Sequence, residues 1–151
     1  MNWIEYGFVR IAAAVPKIKV AEVDFNTGQI LKLIQKAQRR KAQLIVFPEL
    51  VLTGYTCNDL FHQSILQEEV RKNLKKILEK TKNYPILIVL GLPWLVGSKL
   101  FNCAAILHRG KILGLVPKMY IPGYKEFYEK RWFISGKEAT DNKVWFENEE
   151  I

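Results

Sequence analysis

The apolar residues of this chain come in short runs, each closed by a turn residue, and that punctuation narrows the possible folds more than any other feature. Phe8–Val15 is stopped by Pro16 and Leu44–Phe47 by Pro48, and Ile86–Leu92 is a further apolar run. Short, continuous apolar runs fit strands buried on both faces better than strands with one wet side. Between them the period changes. Ile30, Leu33, Ile34 and Ala37 recur at helical spacing, as do Val70, Leu74, Ile77 and Leu78. The first helix is expected to open at Asn26 or Thr27 as N-cap and to end near Arg40. Ser64 with Gln67 has a capping-box pattern, opening a second helix that runs to about Lys82.

The second half reads differently. Leu100–Leu107 and Ile112–Val116 are apolar runs joined by Arg109-Gly110, a hairpin signal. Lys118–Phe133 reads as an aromatic and charged loop with room for one helical turn, and Val144–Phe146 opens one more strand. The order strand–helix–strand–helix–strand–strand–strand predicts an α/β fold: a mixed sheet with two helices on one face. The other face needs a cover that these residues do not obviously provide. A second sheet built from residues beyond Ile151 would satisfy it.

Composition excludes several classes. A chain of 151 residues is one domain, and 49% hydrophobic with 25% charged residues is ordinary globular usage, not disorder or collagen. The longest apolar stretch, Pro85–Val96, is short of the roughly 20 residues a membrane-spanning helix needs, so no membrane association is expected. The N-terminus has no basic region before an apolar run, so no secretory signal is expected either. Two cysteines form neither a disulfide framework nor a zinc site. The expectation is a reducing, cytoplasmic setting with no metal. The net charge of +8 is concentrated in Lys32–Lys41 and Arg71–Lys82. These bases lie largely off the apolar stripes, as solvated helix faces do, and no zinc-finger or RNA-binding strand motif accompanies them, so no specific nucleic-acid partner is expected.

Three features sit just after apolar strands, where open α/β sheets present ligand sites. Glu49, in Phe47-Pro48-Glu49-Leu50, is enclosed by apolar neighbours whose desolvation raises a carboxyl pKa toward that of a general base. By composition alone it also fits a solvated loop carboxylate or a helix cap. Lys118, after Pro117, can act as a point charge aimed at a developing oxyanion, although a lone lysine is more often a surface group. Tyr124-Lys125-Glu126-Phe127-Tyr128-Glu129-Lys130-Arg131-Trp132-Phe133 can line a polar pocket, or lend its aromatics to the core. A Glu and a Lys in these positions suggest an ion-paired site that orients a nucleophile.

Together these residues resemble the carbon–nitrogen hydrolase (nitrilase) superfamily, and within it the glutamine-hydrolysing domain of glutamine-dependent NAD synthetases. The match is carried by Phe47-Pro48-Glu49-Leu50-Val51-Leu52-Thr53-Gly54-Tyr55, Gly91-Leu92-Pro93, Leu100-Phe101-Asn102-Cys103-Ala104, Gly110-Lys111-Ile112-Leu113-Gly114 and Pro117-Lys118. The loop Glu126–Phe133 points to the synthetase branch. The resemblance implies a partial α-β-β-α sandwich, with residues 1–151 forming the N-terminal part of such a domain and its C-terminal end missing. It makes Glu49 the general base and Lys118 the transition-state lysine of a Glu–Lys–Cys triad. Glu129, or its neighbour Glu126, would be a second glutamate orienting the lysine. It places Tyr55, Tyr124 and Phe127 near a glutamine pocket. The implied reaction is attack by a cysteine on the glutamine amide, with ammonia passed to a synthetase domain that uses ATP and Mg2+. This portion itself would need no cofactor, and a homo-oligomer is expected. The family nucleophile lies well after the lysine, and neither Cys57 nor Cys103 matches its position. This chain alone is therefore expected to be inactive. Three alternatives are a short pseudoenzyme that binds a partner, an amidase of the same superfamily with another substrate, and a binder of nucleic acid through its basic surface. His62 and His108 match no motif and read as structural or surface residues.

Overall fold

The computed structural model describes residues 6–140 and 143–151. Five strands form one sheet in the order β1-β2-β3-β4-β5: Ile11–Ala13, Leu44–Val46, Leu87–Val96, Lys99–His108 and Lys111–Pro117. The first three are parallel, and β3–β4 and β4–β5 are antiparallel. Helices α1 (Val23–Arg39) and α2 (Ser64–Thr81) make the two parallel crossovers. A small hairpin of β6 (Trp145–Phe146) and β7 (Glu149–Glu150) follows, with Phe146 packed on Trp94 at 5.7 Å between ring centroids.

The alternation of side chains along the strands divides the sheet into two faces. The register row Ala12, Ile45, Ile88, Leu107 lies under the helices. Ile45, Ile88 and Leu107 pack there with Ile30, Ile34, Leu74 and Ile77 in one buried cluster. Each such side chain contributes roughly 1.5–3 kcal/mol on burial. The adjacent row, Ala13, Val46, Val89, Ile106, points the other way, and Val46 is 38% exposed there. The expected mixed sheet with one helical layer is therefore what forms, and the opposite apolar face is open among the described residues. This is one sheet and one helical layer of an α-β-β-α sandwich.

Several boundaries differ from expectation. Asn26 and Thr27 are buried inside α1, which starts at Val23 with Glu22 as a cap that makes no side-chain bond. Asn26 directs its amide outside its own helix, accepting from Lys19 N–H (2.8 Å) and donating to the carbonyls of Lys19 (2.8 Å) and Leu52 (3.1 Å). Ser64 is the first residue of α2 rather than its cap, and Gln67 donates to the Phe61 carbonyl at 2.7 Å instead of closing a capping box. β1 covers three residues where Phe8–Val15 was expected, because its parallel partner β2 is itself only three residues long. The Arg109-Gly110 turn is as expected, with both residues at positive φ. The helical turn expected in the long loop is a short 3-10 segment at Glu129–Arg131.

Candidate active site

The loop after β2 carries Glu49, and its path depends on a glycine in the neighbouring strand. A Cβ at Gly91 would stand 2.3 Å from Leu50 N and 2.7 Å from both Glu49 Cα and Pro48 O. Backbone thus rests directly on backbone, which only glycine allows. Leu50 is fully buried at φ 50°, a left-handed conformation uncommon for leucine and worth about 1–3 kcal/mol of strain. Its carbonyl accepts from Gly54 N–H (2.7 Å) and Thr53 N–H (3.1 Å), which close the tight turn. The strain therefore falls beside Glu49 and is held by a buried turn.

Lys118 follows β5. Its N–H donates to the Asn102 carbonyl and its carbonyl accepts from Gly136 N–H, both at 2.8 Å, so the main chain is gripped on two sides. The ammonium bridges two carboxylates. Lys118 Nζ donates to Glu49 Oε1 at 2.7 Å and to Glu129 Oε2 and Oε1 at 2.8 and 3.1 Å. Burial pulls the lysine pKa down, but the hydrogen bonds it donates to Glu129 and Glu49, with their negative charge, outweigh it, so the net shift is upward. Lys118 is a fixed cation.

Of the two candidate glutamates, Glu129 is the one that meets Lys118. It is 2% exposed, whereas Glu126 is solvent-exposed. Tyr55 Oη donates to Glu129 Oε1 at 2.6 Å. The tyrosine pKa is pushed above its ordinary value by burial first and by that glutamate second, so it stays a donor. Asn102, whose place in the family motif carried no assigned role, donates from Nδ2 to Glu49 Oε1. Among the described residues, both hydrogen bonds to Glu49 thus fall on Oε1. The signal for Asn102 was available: a polar residue in the middle of an apolar strand run calls for a buried partner.

Tyr124 and Phe127 pack edge-on against each other, 6.1 Å between centroids, with Tyr124 65% exposed. Neither thiol is at the site. Cys57 is buried with its Sγ directed at the carbonyls of Thr53 and Gly54, and burial raises its pKa. Cys103 follows Asn102 on β4, so strand alternation turns it to the opposite face of the sheet. Burial pushes its pKa up to about 12. His62 is exposed and His108 half-buried. Among the described residues no group of three or more His, Cys, Asp or Glu side chains could hold a metal ion, and no helix is long and apolar enough to cross a membrane.

Comparison with known proteins follows the same residues. The sequence profile described as Carbon-nitrogen hydrolase matches residues 10–145. The chain belongs to the carbon–nitrogen hydrolase family. Within this family it is similar to the glutamine-dependent NAD(+) synthetase of Mycobacterium leprae, at 34% identity over 89% of this chain and 20% of that protein. It is likewise similar to the Aquifex aeolicus glutamine-dependent NAD(+) synthetase, at 38% identity over 79% of this chain and 21% of that protein. The chain thus spans about a fifth of the length of these curated relatives. In structure it resembles the glutamine-dependent NAD(+) synthetase of Cytophaga hutchinsonii with a TM-score of 0.87 and 25% identity, covering 94% of this chain and 24% of that one. It shares its fold with an amidase from Nesterenkonia sp., TM-score 0.75.

Proposed function

We propose that residues 1–151 form the N-terminal part of a glutamine-hydrolysing domain that supplies ammonia to an NAD-forming synthetase. The observation that carries this is the Glu49–Lys118–Glu129 cluster, with one ammonium between two carboxylates and Glu49 Oε2 without a hydrogen bond among the described residues. Glu49 Oε2 takes the proton from an incoming thiol and returns it to the departing ammonia. Lys118 stabilises the oxyanion that develops on the amide carbonyl. Glu129 and Tyr55 hold the lysine in place. The thiol forms a thioester with loss of ammonia, and water then releases glutamate. That thiol comes from outside this sequence, since Cys57 and Cys103 point elsewhere. Tyr124 and Phe127 are assigned to the surroundings of the glutamine pocket. ATP and Mg2+ are assigned to the synthetase portion, and a homo-oligomeric assembly in the cytoplasm is expected.

The test is ammonia release from glutamine. The 151-residue chain alone should release none, while the complete native polypeptide should release it and lose about 10²–10⁴-fold in kcat on Glu49→Gln. Ammonia from the 151-residue chain that disappears on Glu49→Ala would defeat the assignment of the nucleophile to other residues. A second reading, a partner-binding module without turnover, is favoured by the open apolar sheet face. It requires a complete polypeptide that hydrolyses no amide.

A further inference from the structure

Asp59 lies outside the triad, on the 3-10 segment Asn58–His62, yet its carboxylate gathers three donors from the loop that carries Glu129. Arg131 Nε donates to Oδ1 at 2.8 Å and Arg131 Nη2 to Oδ2 at 2.9 Å, a bidentate fork. Trp132 Nε1 also donates to Oδ1, at 2.9 Å. Arg131 and Trp132 lie immediately after Glu129, in the turn it opens. On the other side, Asp59 lies shortly after Tyr55, whose hydroxyl reaches Glu129. The two segments therefore meet at two points, one inside the site and one at its rim. The same segments also pack through Phe61, edge-on against Phe133 at 4.8 Å and tilted against Trp132 at 6.2 Å.

We propose that Asp59 is a positioning residue of the amide-hydrolysing site, acting through Arg131 and Trp132 to set Glu129 against Lys118. Exposed ion pairs ordinarily contribute little to stability, because solvent screens them and the side chains lose freedom. A bidentate guanidinium with an added indole N–H differs in kind, since its geometry specifies direction as well as distance. Releasing it frees the Glu129–Arg131 turn to shift, and Glu129 holds Lys118 at only 2.8 and 3.1 Å. A shift of about 1 Å in a positioned group can cost up to about a hundredfold in rate. The strong pull of Arg131, then Trp132, holds the Asp59 carboxyl well below its ordinary pKa, so the clamp persists across the physiological range.

This inference rests on the amide-hydrolysing reading for its kinetic arm only. The experiment therefore has two readouts on the complete native polypeptide carrying Asp59→Ala. The first is glutamine hydrolysis, with kcat expected to fall about ten- to a hundredfold per folded molecule and KM to change less. The second needs no substrate: pulsed acylation of lysines by acetic anhydride across alkaline pH, with Lys118 quantified by mass spectrometry. Loss of the Glu129 contact should lower the lysine pKa and shift its labelling profile to lower pH. Asp59→Glu, which keeps the charge, should restore part of both effects. Wild-type kcat and a wild-type labelling profile in Asp59→Ala would overturn the proposal, as would a fall in activity with Lys118 labelling unmoved. If Asp59→Ala fails to fold, Trp132→Phe removes one of the three donors and should give a smaller shift in the same direction, while no shift overturns the proposal. A wild-type protein that hydrolyses no glutamine defeats the functional reading alone, because the labelling arm still reports on Asp59.

Discussion

The two faces of the central sheet are built from the same strands, one residue out of phase, and their fates differ. Under the helices, Ile45, Ile88, Leu90 and Leu107 are at most 1% exposed. On the opposite face Val46, Ile11 and Val116 are 38%, 60% and 53% exposed, although each is as apolar as its neighbour. Side-chain chemistry alone does not distinguish the two sets. The helices do: α1 and α2 cross over on one side only, as right-handed parallel connections dictate. The opposite face therefore stays open among the described residues, and Glu49, Lys118 and Glu129 are brought together by segments at the strand ends rather than by the covered core.

Substitutions at matched positions can break or sharpen this contrast. The largest effect should come from Ile88→Lys, which buries an unpaired ammonium and should abolish cooperative unfolding by circular dichroism. Leu90→Ala should cost about 2–5 kcal/mol in chemical denaturation, whereas Val46→Ala in the 151-residue chain should cost less than about 1 kcal/mol, since solvent already reaches it. Equal losses at the two positions would mean that the open face is covered in solution. Val46→Lys with Val116→Lys should leave the melting temperature of the 151-residue chain nearly unchanged and reduce its self-association in sedimentation. In the complete native polypeptide the same pair should destabilise if another layer rests there. The smallest effect concerns pH. Lys118 has a pKa raised above its ordinary 10.5. Its contribution to stability is therefore full below that value and is lost as pH rises through the folded-state pKa. Wild type should lose stability faster than Lys118→Met above about pH 10.5 and match its slope below it.

How far the sequence is legible follows the range of each interaction. The helices and strands rest on local periodicity, and their order and the β4–β5 turn emerge from it directly. Boundaries fail where a side chain is committed elsewhere. Asn26 looks like a cap because capping is what asparagine does locally, but its amide is spent on Lys19 and Leu52. Glu49 and Lys118 announce themselves by following apolar strands. Choosing between Glu126 and Glu129 requires burial, which no local pattern encodes in an irregular loop. Tyr124 and Phe127 share that loop with Glu129, and their edge-on packing against each other is equally invisible to local pattern. Asp59 is the extreme case: it looks like an ordinary turn residue, and its partners lie more than 70 residues away.

The seat of the Pro48–Leu50 segment on Gly91 has a consequence for how such a site ages. Most active-site loops are propped on side chains, so each change in the hydrophobic interior is transmitted to the chemistry. Here Glu49 is referenced to the main chain of a central strand, because only a residue without a Cβ lets the Pro48–Leu50 backbone rest there. The interior can drift through many sequences while Glu49 keeps its address, and the freedom to vary is concentrated against a single glycine that cannot.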